Sequence, residues 1–138
     1  MSAPSDFNQR NIEEFRANGG KVTGMFKDRP LLLITTTGAR TGKRRTNPLM
    51  YMRDGERLVV FASKGGAPTN PDWYHNLVAN PTVTVEVGTE TFDAQASVAG
   101  GPEHDELYAR QAKDYPQFGD YQAKTKRQIP VIILERKA

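Results

Sequence analysis

The sequence predicts an α+β protein in which about six mostly antiparallel strands close into a small barrel with helices at its ends. Three observations point there. Asp54-Gly55 is a two-residue hairpin turn signal between two strand-like runs. Val83, Val85 and Val87 alternate with threonine and glutamate, the period of a half-buried strand, and Gly88 turns the chain directly into the next run. The connections between most of these runs are short, and short connections join antiparallel strands, whereas parallel neighbours need long crossovers.

The elements follow in order. Ser5 suits the cap of a first helix from Asp6 to Ala17, with Phe7, Ile12 and Phe15 as its apolar face and Gly19-Gly20 as its stop. Leu31–Thr37 reads as a buried strand ending at Gly38. A basic loop follows, Gly38-Ala39-Arg40-Thr41-Gly42-Lys43-Arg44-Arg45, and then the hairpin Asn47–Arg53 and Glu56–Ala62. Asn70 fits the cap of a short helix, Pro71 its first position and Asp72 the positive end of its dipole. Asn80-Pro81 closes that helix. Strands are expected over Val83–Val87 and Thr89–Val98, a helix over Glu103–Tyr115, and a loop or second short helix beyond Pro116. A last strand, Pro130–Arg136, places its proline where a missing donor costs least.

At 138 residues the chain is expected to be one domain over 1–138, able to bury about two-thirds of the surface its unfolded form exposes. Its 37% hydrophobic and 25% charged residues fit a globular protein. The absence of cysteine excludes disulfides, thiolate metal ligands and a cysteine nucleophile. The start, Met1 to Asp6, lacks the features of a signal peptide, and the apolar runs Leu31–Ile34 and Val131–Leu134 are too short to span a bilayer. A cytoplasmic protein is the expectation.

Several reaction classes lose support. His75 and His104 have no neighbouring ligand at metal-site spacing and read as surface or helix residues, so no metal is expected. Neither a Gly-x-Ser-x-Gly elbow nor a Gly-x-Gly-x-x-Gly turn is present. Gly38…Gly42-Lys43 resembles a P-loop only superficially: three residues separate the glycines instead of four, and Arg44 stands where Ser or Thr is needed.

Net charge is only +3, yet four of the 19 basic residues, Arg40, Lys43, Arg44 and Arg45, fall within six positions. Arginine forks and a lysine point charge around a glycine-hinged turn suit an anionic partner. A second feature, Phe61-Ala62-Ser63-Lys64-Gly65-Gly66, ends a strand in a hydroxyl, an amine and a diglycine. A third, Asn70-Pro71-Asp72-Trp73-Tyr74-His75-Asn76, offers the free amides of a helix start. A fourth is the aromatic set Tyr115, Phe118 and Tyr121. Taken singly, each is explained as well by a bland role: a solvated turn, a surface loop, a core tryptophan, a packing stripe.

Together they are specific. Leu32–Asn47, the Phe61–Gly66 segment, Asn70–Leu77, Asn80-Pro81 and Ile129-Pro130-Val131 resemble, in the right order, the deazaflavin-dependent nitroreductase family, in its quinone and ene reductase branch. The resemblance implies a split β-barrel of the FMN-binding type and reduced coenzyme F420 as hydride donor. That coenzyme is an 8-hydroxy-5-deazaflavin carrying a phosphodiester and an oligoglutamate tail. The matching coenzyme-contact positions are Ala39, Arg40, Thr41, Arg45, Thr46, Asn47, Pro48, Leu49, Met50, Phe61, Ala62, Ser63, Lys64, Asp72, Trp73, Tyr74, His75 and Asn76. Charge assigns Arg40, Lys43, Arg44 and Arg45 to phosphate or carboxylate, and Ser63 and Lys64 to the ring's polar edge or the phosphate. Trp73 and the helix start would wall the ring, and Asn76 would hydrogen-bond.

The resemblance places Tyr115, Phe118 and Tyr121 at the substrate wall, where a tyrosine or water protonates the product. The member that reduces nitroimidazoles has tyrosine at the middle position; Phe118 has no hydroxyl, which favours quinones, activated enones or unsaturated lactones as acceptors over nitroaromatics. The expected partner is a small-molecule substrate and not nucleic acid. The N-terminal helix is expected to pack on the barrel or pocket, with peripheral membrane contact as the alternative. A homodimer is compatible with barrels of this type, although the sequence carries no interface signature. Two other functions stay open at this point: an FMN-dependent oxidoreductase on the same barrel, and a non-enzymatic polyanion-binding module.

Overall fold

The computed structural model describes residues 6–22 and 29–137. Six strands form a closed antiparallel barrel: β1 (Leu31–Thr37), β2 (Arg44–Asp54), β3 (Arg57–Phe61), β4 (Thr82–Val87), β5 (Glu90–Val98) and β6 (Val131–Arg136). Their order around the barrel is β1-β2-β3-β6-β5-β4, and β4 pairs with β1 to close it. Among the described residues four α-helices accompany them: α1 (Asp6–Ala17), α2 (Asp72–Ala79), α3 (Gly101–Asp114) and α4 (Gln117–Lys124). The expected α+β barrel is the observed one.

Strand periodicity sorts the side chains into three layers. Leu32 and Ile34 of β1, Leu58 and Val60 of β3, and Ile132 and Leu134 of β6 fill the barrel interior with Val83, Val85 and Val87. One end of that interior is plugged by Trp73 and Leu77, which lie four residues apart and so share one face of α2. The alternate residues point outward and are covered too. Val59, Phe61, Val131 and Ile133 pack against Leu107, Tyr108 and Phe118 of α3 and α4, while Leu31 and Leu33 pack against Ile12 and Phe15 of α1. Stretches covered on both faces must be apolar at every position, which is why Leu31–Ile34, Leu58–Phe61 and Val131–Leu134 read as unbroken apolar runs where β4 alternates.

Helix α1 therefore lies on the barrel, and Arg16 fixes its end by a 2.8 Å salt bridge to Glu86 of β4. Burying Phe15 to 2% exposure contributes about 1.5–3 kcal/mol. Among the described side chains of α1, Ile12 and Phe15 are buried against β1. No helix among the described residues is long and apolar enough to cross a membrane. Ser5, the expected cap, and the side chain of Phe7 lie outside the described residues.

Local expectations needed three corrections. The hairpin turn is Gly55-Glu56, because Asp54 pairs with Arg57 and the positive φ of 63° falls on Gly55; the Asp54 carboxylate instead binds Arg57 and Arg110. Asn70 does not cap α2: Pro71 occupies that place, and the Asn70 side-chain oxygen accepts from Arg127. The basic segment is shorter than expected as a loop, since Arg44 and Arg45 already belong to β2.

Candidate functional site

The turn between β1 and β2 is self-bonded. Gly38 donates to the Lys43 carbonyl at 2.8 Å, Gly42 to the Gly38 carbonyl at 3.0 Å, and the Lys43 amide to Thr41 Oγ1 at 3.2 Å. A Cβ at Gly38 would stand 2.6 Å from Thr41 Oγ1, so a larger residue there would displace the Thr41 hydroxyl from the turn. Arg40 and Lys43 are exposed on it. Because Arg44 and Arg45 lie on a strand, they leave it on opposite faces. Arg44 reaches outward to Thr37 Oγ1 (3.1 Å) and Thr84 Oγ1 (2.6 Å). Arg45 pairs with the fully buried Thr36, and its Nη2 is buried without a hydrogen-bond partner. The four cations are thus two in solvent, one tied to the outer sheet, and one turned in with a donor unspent.

Further along β2 the alternation continues. Asn47 and Leu49 stand opposite the interior-facing Ile34 and Leu32, whereas Thr46, Pro48 and Met50 stand opposite outward residues. Thr46 Oγ1 lies 2.8 Å from Thr35 Oγ1, and Met50 packs on the outer aromatic cluster.

Helix α2 holds the basic turn. Asn76 Oδ1 accepts the Ala39 N–H at 3.0 Å, and its Nδ2 donates to Thr36 Oγ1 at 3.2 Å. Asn76, expected to be a hydrogen-bonding side chain, thus ties the turn and β1 to α2. Trp73, expected either to wall the ring or to pack in the core, is 6% exposed, and its side chain belongs to the barrel core. Asp72 and His75 are exposed, and the half-buried Tyr74 meets His75 edge-on at 5.5 Å.

The strand-end loop is the third component. Phe61 and Ala62 are buried, Phe61 among Tyr108 and Phe118 at ring distances of 5.8 and 5.6 Å. Ser63 is half-buried and Lys64 exposed. Lys64, Gly65 and Gly66 then take positive φ of 48°, 64° and 84° in succession. Gly66 packs so closely on α4 that a Cβ would stand 2.8 Å from the Tyr121 carbonyl. One residue the sequence reading missed organises this loop: the Arg127 guanidinium donates to the carbonyls of Ala62, Ser63 and Ala67 and to Asn70 Oδ1, at 2.7–3.2 Å. Burial draws the Arg127 pKa down from its ordinary value, with Tyr108 opposing. No local signal marks Arg127, because its partners lie about sixty residues away in sequence.

The aromatic set straddles two helices. Tyr115 caps α3, Pro116 breaks the chain, and α4 begins at Gln117. Phe118 is 5% exposed and packed among Phe61, Tyr108 and Tyr121, so as a substrate wall it has little surface to offer. Tyr115 and Tyr121 are half-buried, and Arg29 lies 5.1 Å over the Tyr115 ring. Tyr108 donates its hydroxyl to the Phe118 carbonyl at 2.5 Å. His104, expected on the surface or a helix, is a buried α3 residue with Nε2–H donating to the Ile129 carbonyl at 2.7 Å. A cavity of about 450 Å³ opens beside it, lined by Tyr108, Gln122, Lys126 and Arg127 among others. It shares Arg127 with the strand-end loop and includes none of the basic turn. No cluster of three metal-ligating residues occurs among the described residues.

Comparison with known proteins places this arrangement. The family model of F420H(2)-dependent quinone reductases matches residues 8–136. An F420H(2)-dependent quinone reductase of Mycobacterium tuberculosis is 43% identical over 113 residues, 78% of this chain and 74% of its own. A putative member from the same organism is 37% identical over 80% of this chain and 93% of its own. Among solved structures, an F420-H2 dependent reductase superposes with a TM-score of 0.71 at 44% identity, covering 78% of this chain and 95% of its own. A chain described as a domain-swapped dimer superposes with a TM-score of 0.73 at 40% identity, covering 92% of this chain and 93% of its own. The Vibrio cholerae haem storage protein HutZ, at 18% identity and a TM-score of 0.61, shares the fold alone.

Proposed function

The chain belongs to the F420H(2)-dependent quinone reductase family, and from that premise we propose that it passes a hydride from reduced coenzyme F420 to a quinone or a related electron-poor acceptor, holding the coenzyme where the basic turn, the strand-end loop and α2 converge. That it is a coenzyme F420-dependent reductase follows from the family; the acceptor and the residue roles are our reading.

The observation that carries the placement is Arg45. A guanidinium nitrogen buried without a partner costs about 1–3 kcal/mol, more when charged, unless something accepts from it. A phosphate or carboxylate supplies that acceptor, so the residues present fit an anionic coenzyme. Arg40 and Lys43, exposed on the turn, draw the charged tail in from solvent. Ser63 and Lys64 serve the polar edge of the ring or its phosphate, and the first turn of α2, which has no side-chain cap, closes that side. Bound there, reduced coenzyme F420 supplies the hydride. The protein orients both reactants and keeps water out. Tyr115 and Tyr121, half-buried at α3 and α4, are the side chains with a hydroxyl able to protonate the product. Phe118 has none, which favours quinones and activated enones over nitroaromatics. Assembly as a homodimer, which the swapped relative suggests, would show as twice the chain mass in sedimentation.

The test is anaerobic turnover. Coenzyme F420, reduced beforehand, is mixed with the protein and a simple naphthoquinone such as menadione, and reoxidation is followed by the return of deazaflavin absorbance. Protein-dependent reoxidation is expected. If reduced coenzyme neither binds at tens of micromolar nor is reoxidised with any quinone or enone offered, the reading is wrong.

A further inference from the structure

We propose that Arg127 is a positioning residue for the coenzyme site, holding the Ser63–Lys64 loop and the entry to α2 in the arrangement that receives the coenzyme. The inference rests on the placement of the coenzyme given above. Its basis is an arginine whose donors are spent on one loop. Nε donates to the Ala67 carbonyl at 3.0 Å, Nη1 to the Ala62 carbonyl at 3.2 Å and to Asn70 Oδ1 at 2.7 Å, and Nη2 to the Ser63 carbonyl at 2.9 Å. Those acceptors bracket the three left-handed residues Lys64, Gly65 and Gly66. A lysine at φ 48° is a strained choice that persists only where surrounding structure enforces it.

The grip also decides where the loop's amides face. In a trans peptide the carbonyl and the following N–H point in opposite directions. With the Ala62 and Ser63 carbonyls turned onto Arg127, the N–H groups of Ser63 and Lys64 turn away from it, and neither has a backbone acceptor among the described residues. Two successive amides facing away from a half-buried cation, beside the Ser63 hydroxyl, form a donor set for a ring carbonyl or a phosphate oxygen.

Arg127 is itself anchored to the acceptor side. Its carbonyl accepts from Gln122 Nε2 at 2.7 Å, and Gln122 Oε1 accepts the Ile129 N–H at 2.9 Å. Gln122 belongs to α4, which also carries Phe118 and Tyr121. One side chain thus fixes the coenzyme loop relative to the helix that faces the acceptor. Lysine cannot replace it, since a point charge on a flexible stem does not span carbonyls that a planar fork reaches together.

The test compares Arg127→Lys with wild type in binding two probes: coenzyme F420, and its deazaflavin chromophore stripped of phosphate and glutamates. A positioning role predicts that Kd rises about tenfold for both probes, with the melting temperature lowered by only a few degrees. Unchanged affinity for both overturns the inference. A loss confined to the tailed coenzyme overturns it as well, because it would make Arg127 a direct anion contact. Should R127K fail to fold, Asn70→Ala removes one acceptor and leaves the arginine in place; a smaller loss for both probes is expected, and no loss overturns the inference. Failure of the underlying placement looks different: there, wild-type protein binds neither probe.

Discussion

Arg44 and Arg45 show how little a one-letter reading says about what a cation does. Adjacent on β2, they leave it on opposite faces, one meeting Thr37 and Thr84 and the other turning in beside Thr36 with a nitrogen unspent. Arg45→Met is expected to raise the coenzyme Kd roughly tenfold or more, because it removes the buried, unpartnered donor beside the basic turn. Without coenzyme the same variant should melt no lower than wild type, since a polar atom with no acceptor is replaced by apolar surface. Arg44→Met should change affinity by less than about threefold, as its guanidinium already has partners. Equal losses for the two variants, measured by titration under matched salt, would refute the division of labour between them. That these residues are cationic was plain from the sequence; which of them faces inward depends on the strand beginning at Arg44 and not after Arg45.

Among the elements, the junction of α3 and α4 carries its own pH dependence. Tyr108 donates to the Phe118 carbonyl across the Pro116 break, and burial pushes its pKa up to about 12, Arg127 opposing and Tyr121 adding. A group whose folded pKa is raised favours the protonated form in the native state. Its contribution is therefore whole below the unfolded value near 10 and lost as pH rises toward 12. Melting temperatures of wild type and Tyr108→Phe, followed from pH 9 to 12, should converge: the variant begins lower for want of the hydrogen bond and then declines less steeply. Parallel curves would show that Tyr108 ionises no later in the folded protein than in the unfolded one. Helix and strand positions were largely legible in the sequence, including α1 over Asp6–Ala17 and β1 over Leu31–Thr37. Where the reading slipped, at Asn70 and at Asp54, a distant side chain had claimed the group that local rules assigned to a cap or a turn.

At the scale of the molecule, the barrel brings together segments that the chain keeps apart. The basic turn follows β1, the strand-end loop follows β3, and α2 closes the barrel end between them, tied to the turn by Asn76 and led into by an Asn70 that Arg127 holds. A ligand bound across these segments stabilises the folded state as a whole. Coenzyme F420 at a hundred times its Kd should add about 2.7 kcal/mol, visible as a rise in melting temperature that grows with the logarithm of concentration. FMN at equal concentration is the control. A shift produced by FMN and not by the deazaflavin would reverse the choice of coenzyme.

The sequence by itself determined the antiparallel barrel, its element order, and the family to which the chain belongs, because hydrophobic period, hairpin turns and the segments Gly38–Arg45, Phe61–Gly66 and Asn70–Asn76 are local patterns written in consecutive residues. Tertiary structure alone decided that Trp73 and Phe118 pack inward, that Asn76 holds the basic turn, that Arg45 keeps an unspent donor, and that Arg127 grips the strand-end loop. The physical reason is that burial and hydrogen-bond partnership are properties of pairs. Partners about sixty residues apart, such as Arg127 and Ser63, meet only when β3 and β6 lie side by side.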